Sequence, residues 1–135
     1  MIGTLLSVNR HRTKPIRLKA SDRRSPCPIS CTLELLGDKW TLLVIRDLLW
    51  LNKRLYSEFL HSPEGIPSSA LADRLKRLEE AGLITKEAYQ HNPVRYAYQL
   101  TSAGTALRPL LESFDEWGAN HIAHTERVPK TWFRN

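Results

Sequence analysis

The chain has 135 residues, of which 41% are hydrophobic and 25% charged, as expected for a single globular domain with a hydrophobic core. The longest apolar stretch, Trp40–Leu51, is interrupted by Arg46 and Asp47 and is too short to cross a bilayer. The N-terminus lacks the apolar block followed by small residues that a secretory signal requires. We therefore expect a cytoplasmic protein with no membrane partner.

The formal net charge is +6, but the charge is unevenly distributed. Residues 1–25 contain seven of the 20 Lys and Arg and one of the 14 Asp and Glu, so the rest of the chain is formally neutral. This segment has no helical or strand periodicity, and we predict a basic, flexible N-terminal arm before one folded domain, 26–135. The arm either adds sequence-independent attraction to nucleic-acid phosphates, or it is a solvated extension or the product of a start codon assigned too far upstream.

Two helices are predicted at the start of the domain. Pro28 suits the first position of a helix that runs to about Leu36, and Gly37 ends it. Its apolar residues Ile29, Leu33 and Leu36 are predicted to be buried. Asp38 is expected to cap a second helix, Lys39–Leu49, which is apolar nearly all round and belongs at the centre of the domain or between two domains.

The middle of the chain has the pattern of a helix-turn-helix followed by a hairpin. A short helix over Tyr56–Leu60 and a turn over 62–65 precede a helix that begins near Ser68 or Ser69, either of which can cap it, and ends at Gly82. Leu71, Leu75 and Leu78 form one apolar stripe on this helix. Leu83–Tyr89 and Val94–Leu100 read as strands on either side of a turn at 91–93. The predicted fold class is α+β, mainly α: a winged helix-turn-helix.

The last predicted helix begins after Thr101, which should cap it, and runs to about His124, with a bend at Pro109. It has more apolar surface than a small domain can cover, so we predict a long dimerisation helix. The alternative is that this helix packs back on its own core. The candidate dimer-interface residues are Trp40, Leu107, Leu110, Phe114 and Trp117.

The polar face of the helix from Ser68 favours insertion into the major groove of double-stranded DNA. We predict that Ser69, Ala70, Asp73 and Arg77 face base edges. We expect Ser68 and Arg74 to meet phosphates, although Arg74 has the alternative of pairing with an acid such as Glu58. The candidates in the hairpin are His91, Asn92 and Arg95. Any amphipathic surface helix also shows polar residues to water, which is the alternative interpretation.

The two cysteines, Cys27 and Cys31, are too few for a zinc site, and we expect no metal or other cofactor. Cys27 precedes a helix N-terminus, where the helix dipole favours the thiolate, so it is a candidate redox-sensing residue or a small buried side chain. The chain lacks a glycine-rich phosphate loop and a Ser/His/Asp arrangement with sequence context, so we predict that it is not an enzyme.

In order and spacing, these motifs resemble the HxlR-type transcriptional regulators, relatives of the MarR group. The matching pieces are Cys27-Pro28, Leu36–Leu49, Gly65–Ile84, Tyr98–Thr101 and Glu116–Gly118. The chain departs from the usual pattern at Leu55, where the family has an aromatic residue that here follows as Tyr56, and in its longer basic N-terminal arm.

The resemblance implies a homodimer that binds a pseudo-palindromic operator, usually as a repressor and sometimes as an activator. It places the helix from Ser68 in the groove and Arg95 at the minor groove or its phosphates. Some members are thought to sense oxidants or electrophiles through a cysteine at the position of Cys27. A second effector route is a small apolar ligand between subunits, near Trp40, Tyr56 and Trp117. The alternative function is a winged-helix module that binds another protein without sequence-specific DNA binding.

Overall fold

The computed structural model describes Ile16 and residues 18–127. The fold is the predicted mainly helical winged helix-turn-helix, with two strands in one antiparallel sheet. A short 3₁₀ turn over Ala20–Asp22 comes before the first helix. The helices and strands are α1 Pro28–Leu36, α2 Thr41–Trp50, α3 Tyr56–Leu60, α4 Ser68–Ala81, β1 Ile84–His91, β2 Val94–Leu100, α5 Ser102–Thr105 and α6 Arg108–His121.

The core forms where α2, α3 and α4 meet. The predicted stripe on α4 is confirmed, because Leu71, Leu75 and Leu78 are all buried. They pack in one cluster with Ile45 of α2 and Phe59 of α3. Burying side chains of this size is worth about 1.5–3 kcal/mol each, so the packing of α4 on this cluster fixes which of its faces is left to solvent.

The ends of α4 differ in how far the sequence predicts them. Gly82 ends the helix with φ +91°, as predicted, and the amide of Leu83 donates to the carbonyl of Leu78 at 2.9 Å. At the other end the residue before the helix is Pro67, and neither predicted serine caps it. Pro67 holds an extended conformation, and Ser68 is already inside the first turn, where its side chain has a different partner.

The hairpin has the predicted strand order, with the first strand extending to His91. Asn92 and Pro93 form the turn, and the register has a bulge between Ala88 and Gln90. The amide of Tyr98 donates to the carbonyl of Arg54 at 2.9 Å, which attaches the hairpin to the loop before α3. The wing is therefore held at a fixed place beside the helix-turn-helix.

The C-terminal region contains two helices where one bent helix was predicted. Thr101 caps the first one, as predicted, because its Oγ1 accepts from the amide of Gly104 at 3.2 Å. Ala106 and Leu107 keep right-handed helical φ and ψ, but the amide of Leu107 donates three residues back, to Gly104, and α6 starts at Arg108 with Pro109 in its first turn. Pro109 lacks the N–H that a continuous helix would need, so it begins a helix here and does not bend one.

Helix α1 has the predicted bounds but not the predicted burial. Of its three apolar positions, only Leu36 is buried, whereas Ile29 and Leu33 are 73% and 52% exposed. The periodicity correctly indicates an amphipathic helix, but the surface that would cover its apolar face is not supplied by the described part of this chain.

The predicted N-terminal arm, 1–25, falls only partly within the described residues, since 1–15 and Arg17 lie outside them. Ile16 packs in part against the core. The residues from 18 include the 3₁₀ turn, and Arg24 forms an ion pair with Glu34 of α1. This described portion therefore contacts the domain and does not extend away from it.

A buried ionic network joins α2 to the turn before α4. Arg46 donates to Asp47 Oδ1 at 2.9 and 3.1 Å and grips both carboxylate oxygens of Glu64, at 2.8 and 2.9 Å. Ser62 donates to the other Asp47 oxygen, and Lys53 Nζ donates to Ser62 at 2.7 Å. In the sequence, Arg46 and Asp47 look only like an interruption of an apolar helix.

The network also shifts the ionisation of its members. The hydrogen bonds from Arg46 hold the pKa of Glu64 below its ordinary value of 4.5. Burial lowers the pKa of Arg46, but the bonds to Glu64 and the charge of Asp47 outweigh this and raise it overall. Both groups are therefore charged at neutral pH.

Among the described residues, no helix is long and apolar enough to span a membrane.

We expect Asp47→Ala to lower the free energy of unfolding by about 3–5 kcal/mol, because it leaves the buried guanidinium of Arg46 without one of its two carboxylate partners. Chemical denaturation measures this. The matched control is Arg127→Ala, which removes an exposed ion pair of 2.7 Å with Asp115 and should cost about 0–1 kcal/mol. Equal losses in the two variants would contradict a structural role for the network.

Candidate nucleic-acid interface

The face of α4 opposite the buried leucines is exposed. Ser69 and Asp73 lie on it, as predicted, and Lys76 lies one heptad after Ser69 on the same face. Ala72 is also exposed, between these positions and the helix edge. This face presents short side chains near the N-terminus and a lysine about two turns after Ser69, which leaves the helix backbone room to approach another surface near its N-terminus.

Ala70, which was predicted to face bases, and Ser68, which was predicted to meet phosphates, both contact other residues of their own chain. Ala70 is half-buried against the core. The hydroxyl of Ser68 lies 2.7 Å from the hydroxyl of Tyr56, which also donates to the carbonyl oxygen of Ser68 at 2.6 Å. Both residues therefore help to seat the first turn of α4.

Arg74 is turned toward the protein. Its Nε lies 3.2 Å from Asp38 Oδ2 and its Nη1 lies 3.4 Å from Asp73 Oδ2, and the side chain is only 19% exposed. Glu58, the acid named as an alternative partner, instead accepts from the amides of Arg54 and Leu55 at 2.9 Å each. The intramolecular pairing expected as the alternative for Arg74 is thus formed, with different acids.

Asp38 links this arginine to the start of α2. It accepts from the amides of Trp40 and Thr41 at 3.0 and 3.1 Å. These bonds form in the turn before α2, which starts at Thr41 and not at the predicted Lys39, so that Trp40 and not Asp38 is the residue before the helix. Burial raises the pKa of Asp38, but the hydrogen bonds from the Thr41 hydroxyl and these amides, together with the charge of Arg74, lower it overall. Asp38 is therefore an anion at neutral pH and holds Arg74 away from solvent.

Arg77 is exposed, at the edge of the α4 face that turns toward α1. Its Nη2 donates to the carbonyl of Glu34 at 3.5 Å, the limit of a hydrogen bond. It lines a cleft of about 970 Å³ between the N-terminal segment, α1 and α4. So long a contact leaves the guanidinium available to rotate toward another partner.

At the wing, the predicted residues Asn92 and Arg95 are both exposed. Arg95 is opposite Gln90 in the strand register, and Gln90 Nε2 donates to the carbonyl of Pro93 at 3.1 Å, closing the turn. Further down the hairpin, Lys86 lies over the ring of Tyr96 at 4.4 Å. The tip of the wing is therefore ordered, and Arg95 is exposed beside it.

The candidate dimer residues divide into two groups. Trp40, Leu107 and Leu110 are half-buried and pack against the core of their own chain. Phe114 and Trp117, by contrast, are 59% and 61% exposed on α6. The space beside Trp40 and Phe59 measures about 10 Å³, which holds no more than a water molecule.

The cysteines differ in exposure. Cys27 is exposed at the residue before α1, and its amide donates to the hydroxyl of Ser25 at 3.2 Å. Cys31 is half-buried, with its thiol donating to the carbonyl of Ser25 at 3.4 Å. The described residues contain no group of three or more His, Cys, Asp or Glu that could hold a metal ion.

Two exposed residues of the α4 face, Ala72 and Lys76, were not among the predicted contacts. The signal that identifies them is positional: both lie away from the Leu71–Leu75–Leu78 stripe, and Lys76 repeats the position of Ser69 after seven residues.

Comparison with known proteins agrees with this geometry. Residues 35–126 match the HxlR-like helix-turn-helix family. The chain belongs to this family. The HxlR resemblance seen in the sequence is therefore confirmed, and the relatives that this chain matches are named as HTH-type transcriptional regulators.

Three relatives illustrate the match. HTH-type transcriptional regulator Mb3122 of Mycobacterium bovis is 35% identical over 97 residues, which are 72% of this chain and 60% of that protein. The chain thus spans about 60% of that relative's length. A structure named for a MarR-family transcriptional regulator of Porphyromonas gingivalis has a TM-score of 0.64 at 30% identity, covering 78% of this chain and all of the other. The redox regulator HypR in its reduced form has a TM-score of 0.64 at 26% identity, and the match covers 72% of this chain and 95% of the HypR chain.

Proposed function

We propose that this HxlR-family regulator binds a specific double-stranded DNA operator as a homodimer and represses transcription. The observation that carries the proposal is the exposed face of α4, which is directed away from the core and lies beside an ordered wing with an exposed arginine. Repression is the simplest outcome, because a dimer on a promoter excludes other proteins from it. The proposal places the protein with the DNA, in the cytoplasm.

The side chains of α4 suit the major groove. Ser69 and Ala72 are short enough to let the helix approach base edges, and a serine hydroxyl can donate to or accept from a base. Arg77 can bind guanine with two hydrogen bonds after releasing the 3.5 Å contact to Glu34. We assign Lys76 to the same surface and leave out Arg74, whose charge is already paired.

The wing would add contacts that do not depend on sequence. Arg95 and Asn92 are exposed at its tip, where a hairpin beside a groove-bound helix meets the DNA backbone. Since residues after 25 are formally neutral overall, attraction to DNA must come from the placement of such individual cations and not from net charge.

Dimerisation is supported by apolar surface that the described residues leave uncovered. Phe114, Trp117 and Ile122 are each more than half exposed on and just after α6, as are Ile29 and Leu33 on α1. Exposed aromatic and aliphatic residues grouped on two helices are typical of a surface that a second copy covers. Each subunit of such a dimer would contribute one α4 to a pseudo-palindromic operator.

A redox response through Cys27 is the third part of the proposal. Cys27 is exposed at the start of α1, the helix that carries Ile29 and Leu33. A modification there would add bulk or charge next to the proposed subunit contact and change the spacing of the two α4 helices. The likeness to HypR, a redox regulator known in reduced and oxidised forms, supports this part.

A protein-binding role is the alternative, and one observation favours it. Tyr89 and Val94 are each 51% exposed on the wing, where apolar side chains gain little from DNA phosphates but could dock a protein. Selection of a specific duplex from a random library separates the two functions.

In vitro selection from a random duplex library should return an operator that the protein binds more tightly than a scrambled duplex. We expect Arg77→Ala to weaken binding to that operator by about 5- to 150-fold, the loss of roughly 1–3 kcal/mol from a bidentate base contact. Arg95→Ala should instead weaken binding to all duplexes and reduce the slope of log K against log salt concentration by about one phosphate contact.

Arg127→Ala is the control for both variants. It removes an arginine that is paired with Asp115 on α6 and that belongs neither to α4 nor to the wing. If no duplex outcompetes its scrambled version, the DNA-binding proposal fails and the protein-binding alternative takes its place. An unchanged salt slope in Arg95→Ala would remove the wing from the interface.

Trp117→Glu should convert the dimer to a monomer of 15.5 kDa, because a buried, unpaired carboxylate in the subunit contact is costly. Light scattering after size-exclusion chromatography measures the mass. Tyr89→Glu makes the same change at a similarly exposed aromatic of the wing and should leave the dimer intact. A monomeric wild-type protein would refute the proposed assembly.

Oxidant should release the wild-type protein from its operator, and Cys27→Ser should abolish that response while keeping affinity under reducing conditions. Fluorescence anisotropy with and without hydrogen peroxide measures both. Cys31→Ser is the control, because the half-buried Cys31 thiol donates a hydrogen bond to the Ser25 carbonyl. This variant should respond to oxidant as the wild type does. A response that survives in Cys27→Ser would exclude this residue as the sensor.

A further inference from the structure

The first turn of α4 is joined to α3 by one tyrosine. Tyr56 is the first residue of α3, and its hydroxyl lies 2.6 Å from the carbonyl oxygen of Ser68 and 2.7 Å from the Ser68 hydroxyl. Ser68 is the first residue of α4. Both contacts are short, so the relative position of the two helices is set at this point by side-chain chemistry as well as by the apolar core.

The number of protons decides the direction of these bonds. A carbonyl oxygen can only accept, so the single proton of the Tyr56 hydroxyl goes to the Ser68 carbonyl. The contact between the two hydroxyls must then be made with the proton of Ser68, donated to the tyrosine oxygen. Ser68 therefore has no proton left to donate to a phosphate, whose oxygens only accept.

Within the described part of the chain, no side chain at the residue before α4, Pro67, accepts from the first turn. The Tyr56 hydroxyl is not a cap, because it donates to a carbonyl, but it is a polar contact that holds the beginning of the helix, while the buried Leu71 holds it one turn later. Without the tyrosine hydroxyl, the first turn would depend on its backbone bond from Leu71 to Pro67, at 2.9 Å.

We infer that Tyr56 is a positioning residue for sequence reading: its hydroxyl fixes the first turn of α4, so that Ser69 is presented to the DNA and Ser68 is not. This inference rests on the proposed DNA-binding function. It moves Ser68 from the predicted phosphate contacts to the support of the helix, and it gives Tyr56 a role that an apolar aromatic residue could not fill.

Hydrogen exchange in the free protein tests the positioning directly. In Tyr56→Phe, which keeps the ring, the amides of residues 71–73 should exchange about 3- to 10-fold faster, as expected for the loss of one ordinary hydrogen bond. Exchange elsewhere should be unchanged, which a general loss of stability would not produce. Ser57→Ala, which removes a neighbouring exposed hydroxyl, is the control and should leave the rates at 71–73 unaltered.

Binding to the selected operator tests the reading role. Tyr56→Phe should weaken it by about 3- to 10-fold, and Ser68→Ala should change it less than about 2-fold, because Tyr56 keeps its bond to the backbone. Ser69→Ala should weaken it more than Ser68→Ala. Unchanged exchange at 71–73 in Tyr56→Phe, or equal losses from Ser68→Ala and Ser69→Ala, would overturn the inference. If selection returns no operator, the proposed function fails, and the exchange measurement still decides whether Tyr56 positions α4.

Discussion

The position of the turn that leads into α4 depends on the buried network around Arg46 and Asp47. These residues belong to the central helix α2, and their partners Glu64 and Ser62 belong to the turn that leads into α4. Burial of the leucine stripe decides which face of α4 is exposed, whereas a guanidinium bonded to two carboxylates has one favourable geometry. The turn is therefore held in one place on α2, and the start of α4 is held with it.

The sequence predicts the elements of this fold well because each has a local cause. Leucines at helical spacing and Gly82 define most of α4, and alternating residues on either side of a turn define the hairpin. It does not predict Arg46 and Asp47 as a network, because their partners are far along the chain. It also misses the break before α6, where Pro109 was expected to bend a helix and instead begins one.

The candidate site is less predictable than the fold, since residue type does not reveal which charges are already paired. Arg74 and Arg77 are three positions apart on one helix, and the sequence offered an internal acid as a partner for Arg74 but named the wrong one. In the structure Arg74 is held by Asp38, which also accepts from two amides before and at the start of α2, while Arg77 has one long contact to a carbonyl. Similarly, Ser68 and Ser69 are neighbours, but Tyr56 binds only Ser68. Tertiary contacts of this kind decide which member of each pair can meet a ligand.

Helix α1 connects the proposed parts of the function physically. Its carbonyl at Glu34 contacts Arg77 of α4, its residues Ile29 and Leu33 are exposed, and Cys27 lies immediately before its first turn. A covalent change at Cys27 would therefore act on a helix that touches both α4 and the proposed subunit contact. In the proposed dimer, two α4 helices fit half-sites about one helical turn of DNA apart, so a displacement of α1 would change the spacing on which operator binding depends.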